Sequence, residues 1–147
     1  MERPRDIGLG TTLGEVCVQQ AVTVSEHDTL AFVARVIAEN RAFSALIAEP
    51  PLRVVTERDL ALAWSHGRRP DDEVADIVSG RARWALDTTR VMEAAGMMID
   101  LGIRHLVVID RHDQPVGVVS MPELLAALLS AQDPTTIYAS FAVALLR

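Results

Sequence analysis

The sequence predicts an α+β fold made of two β-α-β-β-α repeats packed with pseudo-two-fold symmetry, followed by a C-terminal helix. Three observations predict it. Leu13-Gly-Glu-Val-Cys-Val-Gln-Gln-Ala-Val-Thr-Val-Ser-Glu-His-Asp-Thr-Leu30 matches Val74-Ala-Asp-Ile-Val-Ser-Gly-Arg-Ala-Arg-Trp-Ala-Leu-Asp-Thr-Thr-Arg-Val91 in pattern, and self-similarity at a fixed spacing is the mark of tandem units. A helical stretch and then a short apolar run follow in each copy, the runs being Phe43–Ala48 and Ile103–Val108. Finally, Arg53–Leu60 reads RVVTERDL and Gly117–Leu124 reads GVVSMPEL. Each of these has a branched apolar pair, a hydroxyl residue, two variable residues, an acid and a leucine.

The elements follow in order. Residues 1–12 are an extension, 13–70 the first repeat, 71–132 the second and 133–147 a helical tail. Val22-Thr-Val24 is a short β-prone run. Asp28 or Thr29 can cap the next helix, in which Leu30, Val33, Ala34 and Ile37 recur at helical spacing. Val91, Ala94, Ala95 and Met98 repeat that face, and Gly102 sits where a helix end favours positive φ. Phe43–Ala48 and Leu106–Ile109 read as buried strands. Glu49-Pro-Pro51 and Arg111–Pro115 are the turns that lead into the strands before Thr56 and Ser120. Amphipathic helices over 57–65 and 122–131 close the two repeats, and His66–Glu73 connects them. Pro134 after Asp133 starts the tail helix, with Ile137, Phe141, Ala144 and Leu145 on one side. A unit of this size is marginal alone, so packing one repeat on the other is what buries a core.

Composition narrows the function. The chain has 147 residues, is 50% hydrophobic and 23% charged, and carries a formal net charge of −6. That balance argues against nucleic acid as the main partner, because backbone binding needs clustered cations. Cys17 is the one cysteine, which leaves no intramolecular disulfide and disfavours a thiolate metal site. The start lacks the apolar run of a signal peptide, and the apolar tail is shorter than the ~20 residues of a membrane span. The expectation is a cytoplasmic protein without membrane insertion. No metal cluster, Gly-rich phosphate loop or nucleophile motif points to an enzyme.

The hydroxyl-x-x-acid elements have two readings. In one they are capping boxes, where the hydroxyl accepts from the third helical amide and the acid reaches back. Ser120-x-x-Glu123 fits that motif fully, whereas Asp59 is the shorter acid and suits it less. In the other reading they hold a ligand, since a carboxylate can accept from both vicinal hydroxyls of a ribose.

The ordered set Val-Thr-Val-Ser-Glu-His-Asp-Thr-Leu30, Val54-Val-Thr-Glu-Arg-Asp59, Val74-Ala-Asp-Ile-Val78 and Gly102-Ile-Arg-His-Leu-Val-Val-Ile-Asp110 resembles a tandem pair of cystathionine-β-synthase (CBS) domains. The resemblance spans about Leu13 to Leu129. It implies a regulatory sensor that binds AMP, ADP, ATP or S-adenosylmethionine in clefts between the repeats, with no catalytic residues and no resident cofactor. It also implies a homodimer and a regulated partner protein. Carried onto this chain, Thr56 and Asp59 would meet the ribose in a first cleft, with Arg83, Ile103, Arg104 and His105 opposite. Ile103 would be the apolar wall for the base, and Arg104 with His105 the phosphate face. A second, weaker cleft would use Ser120 and Glu123 with Val22, Phe43 and Ser44. Arg53 stands where relatives often have Gly, Pro122 fills a position that can face phosphate, and Glu replaces Asp at 123. These departures motivate an alternative, a degenerate pair that keeps the fold and the dimer as a scaffold without ligand.

Overall fold

The computed structural model describes residues 11–16, 22–78 and 80–129. The tail helix expected over 133–147 lies outside them, as do Cys17 and residues 1–10 of the extension. In chain order the elements are α1 (Leu13–Val16), β1 (Thr23–Val24), α2 (Leu30–Glu39), β2 (Ser44–Ile47), β3 (Arg53–Thr56), α3 (Glu57–Ser65), a 3-10 turn (Val74–Asp76), β4 (Trp84–Leu86), α4 (Val91–Leu101), β5 (His105–Ile109), β6 (Pro115–Ser120) and α5 (Met121–Leu128).

Two three-stranded sheets have the same topology, β1-β2-β3 and β4-β5-β6. In each, the first pair is parallel and the second antiparallel. A parallel pair requires a crossover, which α2 and α4 supply. The expected α+β repeat is thus present twice. Register sets Ser44 opposite Thr56 and His105 opposite Ser120.

Local chemistry explains the helix bounds. Thr29 caps α2 by accepting from the Phe32 amide at 3.2 Å. The next free amides of that helix, Leu30 and Ala31, donate to Asp72 and Pro70 carbonyls at 2.9 and 3.0 Å, so the connector satisfies groups that a helix start leaves open. Leu30, Val33 and Ile37 are buried as expected, but Ala34 is exposed. The buried stripe is narrower than the sequence suggested and Ala34 lies on its solvent flank. In α4, Val91, Ala94, Ala95 and Met98 are all buried. Gly102 ends the helix at φ 65°, letting its own amide and that of Ile103 return to the Ile99 and Met98 carbonyls.

The chain divides into two compact units. The first-sheet unit is the described part of Gln20–Arg83; the second-sheet unit is the described parts of Met1–Gln19 and Trp84–Arg147. These units differ from the sequence repeats by an exchange of their opening segments. Leu13, fully buried, packs with Val91, Met98, Leu106 and Leu124 in the core of the second sheet. Val74 and Val78 pack with Val24, Val33 and Ile37 in the core of the first. The two segments dock in the same manner. Leu13 and Gly14 amides donate to Thr89 and Asp87 carbonyls at 2.8 and 2.9 Å, and Val74 and Ala75 amides to Asp28 and Glu26 carbonyls at 2.9 and 3.0 Å. Each opener therefore straps the loop between the first strand and first helix of its unit.

Candidate functional site

The β3–α3 junction builds the first hydroxyl–acid element. Strand β3 ends at Thr56, whose extended backbone (φ −112°, ψ 165°) makes it the N-cap of α3. Its Oγ1 accepts from the Asp59 amide at 3.2 Å, while Asp59 Oδ2 accepts from the Thr56 amide at 2.8 Å and from Thr56 Oγ1 at 2.9 Å. This is a complete capping box. Both residues remain half-exposed, and the described hydrogen bonds to Asp59 fall on Oδ2. Across the strand pair lies Ser44, buried, and the Phe43 carbonyl accepts from the Glu57 amide at 3.2 Å. Val22 is half-buried at the core margin, its carbonyl accepting from Leu46 at 2.7 Å.

The β6–α5 junction repeats the plan with a different outcome. Ser120 is the N-cap residue of α5, but its side chain makes no bond to a helix amide. Instead Ser120 Oγ donates to Glu123 Oε1 at 2.8 Å. The sequence suggested the fuller capping box here and the poorer one at Thr56; the structure reverses that order. Both hydroxyls donate to their acid; that of Thr56 also accepts from a helix amide, and that of Ser120 does not. Burial pushes the Glu123 carboxyl above its usual range, with the bonds to Ser120 acting in the opposite direction.

The other expected residues group with these by unit. His105 starts β5 opposite Ser120 and is half-buried; the exposed Arg104 accepts the Met121 amide on its carbonyl at 3.0 Å. Ile103 is partly buried against the second-sheet core. Arg83 is exposed at the end of the first-sheet unit, just before β4. Thr56, Asp59, Phe43 and Ser44 thus meet in one unit, and Arg104, His105, Ser120 and Glu123 in the other. Among the described residues no group of three or more His, Cys, Asp or Glu could hold a metal ion. No described helix is long and apolar enough to cross a membrane.

At the other end of β3 is a polar cluster that the motifs did not reveal. Arg53, 6% exposed, pairs through its terminal nitrogen with Glu26 and donates Nε to the Pro51 carbonyl at 3.2 Å. Glu49 accepts from Ser25 Oγ at 2.6 Å and the Glu26 amide at 2.8 Å, and these bonds hold its carboxyl below the usual range. The available signal was Arg53 itself, a cation at the start of a strand that has to be buried.

The family model described as the CBS domain matches residues 74–130. A CBS domain protein from Pyrobaculum aerophilum, solved in complex with AMP, is 31% identical, with a TM-score of 0.73 over 82% of this chain and 97% of its own. An uncharacterized protein of Methanopyrus kandleri is 32% identical over 119 residues, which is 78% of this chain and 61% of that protein, so the chain spans less than two thirds of that relative. A CBS domain pair solved with 5′-methylthioadenosine and S-adenosyl-L-methionine is 17% identical, with a TM-score of 0.70 over 78% of this chain and 93% of its own, and shares the fold.

Proposed function

The chain belongs to the CBS-domain family as a tandem pair, and from that membership we propose that it is a regulatory sensor for an adenosine-containing ligand, AMP foremost. The observation that carries this reading is the Thr56–Asp59 element: a half-exposed carboxylate held in one orientation by its own cap. A carboxylate has acceptor capacity on both oxygens, so Oδ1 can take the vicinal ribose hydroxyls while Oδ2 keeps the box. Thr56 accompanies it at the ribose. The relative at 31% identity that was solved with AMP supports the choice of ligand. Signal output equals the ligand's differential affinity for two arrangements of the module or of its dimer, passed to a partner protein.

Calorimetric titration with AMP, ADP, ATP and S-adenosylmethionine tests the reading. AMP is expected to bind, and Asp59→Asn, with its fold checked by circular dichroism, to weaken binding at least about tenfold through loss of charge-assisted bonds. A second reading, a scaffold without ligand, is favoured by the fact that the box already satisfies itself. It prevails if none of the four compounds gives heat.

We also propose a homodimer that uses α3. Leu62 and Trp64 are 44% and 73% exposed on a helix whose buried residue is Ala63, and a large exposed Trp is a typical interface anchor. Sedimentation equilibrium should give a dimer mass that Trp64→Glu shifts to monomer. A monomeric wild type at micromolar concentration refutes it.

A further inference from the structure

The two hydroxyl–acid elements share a plan and differ in three physical respects. Thr56 is half-exposed, whereas Ser120 is 3% exposed. Both hydroxyls donate to their acid, Thr56 Oγ1 to Asp59 Oδ2 at 2.9 Å and Ser120 Oγ to Glu123 Oε1 at 2.8 Å, but burial pushes the Glu123 carboxyl above its usual range. The third difference is in the first helical turn. In α3 the residue before the acid is Arg58, exposed, with a cation to offer a phosphate. In α5 that residue is Pro122, which has neither a charge nor an amide proton.

From these contrasts we infer that the chain takes one adenosine ligand, at the Thr56–Asp59 element, and that the Ser120–Glu123 pair is closed to ligand and serves to hold the β6–α5 junction. The inference rests on the adenosine-binding reading above and adds to it a stoichiometry and an assignment of the second element. Replacing the acid of the closed pair therefore leaves ligand affinity alone, while replacing the acid of the open one lowers it. The amide of Glu123→Gln keeps the length and can still accept from Ser120 Oγ, so the junction survives the change.

The test is calorimetry on the full chain with AMP, ADP, ATP and S-adenosylmethionine in turn, on wild type, Asp59→Asn, Thr56→Val and Glu123→Gln. The expected result is one site per chain, a loss of at least about tenfold in Asp59→Asn, a smaller loss in Thr56→Val, and a change within about twofold in Glu123→Gln. Two sites per chain, or a loss in Glu123→Gln equal to that in Asp59→Asn, overturns the inference and leaves adenosine binding standing. Unchanged binding in both Asp59→Asn and Thr56→Val also overturns it. Absence of binding by wild type to all four compounds overturns the adenosine reading and the inference with it.

Discussion

Leu13→Ala is expected to cost about 3 kcal/mol of stability, within the roughly 2–5 kcal/mol seen when a buried leucine is truncated. The size of the effect is disproportionate to its setting. Helix α1 has four residues, far too few to hold a helix by backbone bonds alone. Its place is fixed by the Leu13 side chain, fully buried against Val91, Met98, Leu106 and Leu124, and by the two amide bonds to Thr89 and Asp87. Removing the side chain empties that site and frees the strap on the β4–α4 loop. Native-state hydrogen exchange should then show lost protection in α4 and β5, with β2 and β3 unaffected, because Leu13 belongs to the second-sheet unit. Urea denaturation gives the magnitude. A loss below about 1 kcal/mol, or a loss of protection centred on β2 and β3, contradicts the exchanged-opener arrangement.

That arrangement also marks the limit of what the sequence reveals. Strands and helix ends were legible because each has a local cause: the apolar runs Ser44–Ile47 and His105–Ile109, the Thr29 cap, and the left-handed Gly102. Which core an opener joins has no local cause. Leu13 and Val74 occupy equivalent places in the repeat, and only three-dimensional packing decides that Leu13 serves the sheet of residues 84–120 and Val74 that of 23–56. Helix faces are legible where the apolar stripe is wide, as in α4, and less so at its margins, where Ala34 is exposed. The candidate site divides in the same way. A spacing of three residues across a strand–helix boundary is enough to predict that Thr56 meets Asp59, since residues three apart on the first turn are neighbours. Burial of Ser120, the turn of its hydroxyl toward Glu123 and the desolvation of that carboxyl arise from tertiary packing, which no spacing encodes.

Arg53→Met should lower stability by about 2–3 kcal/mol, for a reason other than lost volume. Methionine nearly matches the length of the arginine stem, so the cavity is small. The cost comes from charge. The guanidinium is 6% exposed at the start of β3 and pairs with Glu26, which is tied through its amide to Glu49, itself bound by Ser25 Oγ. The cluster joins the β1–α2 loop to the β2–β3 turn. Removing one partner of such a pair leaves the other carboxylate part-buried and uncompensated, an effect worth about 3–5 kcal/mol when both are fully buried. The Glu26 side chain keeps 28% of its exposure, so water recovers part of that and the expected value sits at the lower end. The sign of the coupling separates this account from a packing effect. If uncompensated charge is the cause, Arg53→Met combined with Glu26→Leu should be more stable than Arg53→Met alone, because the second change removes the stranded carboxylate. If packing is the cause, the second change should lower stability further. A loss below about 0.5 kcal/mol in Arg53→Met would instead place the pair with solvent-screened surface bridges.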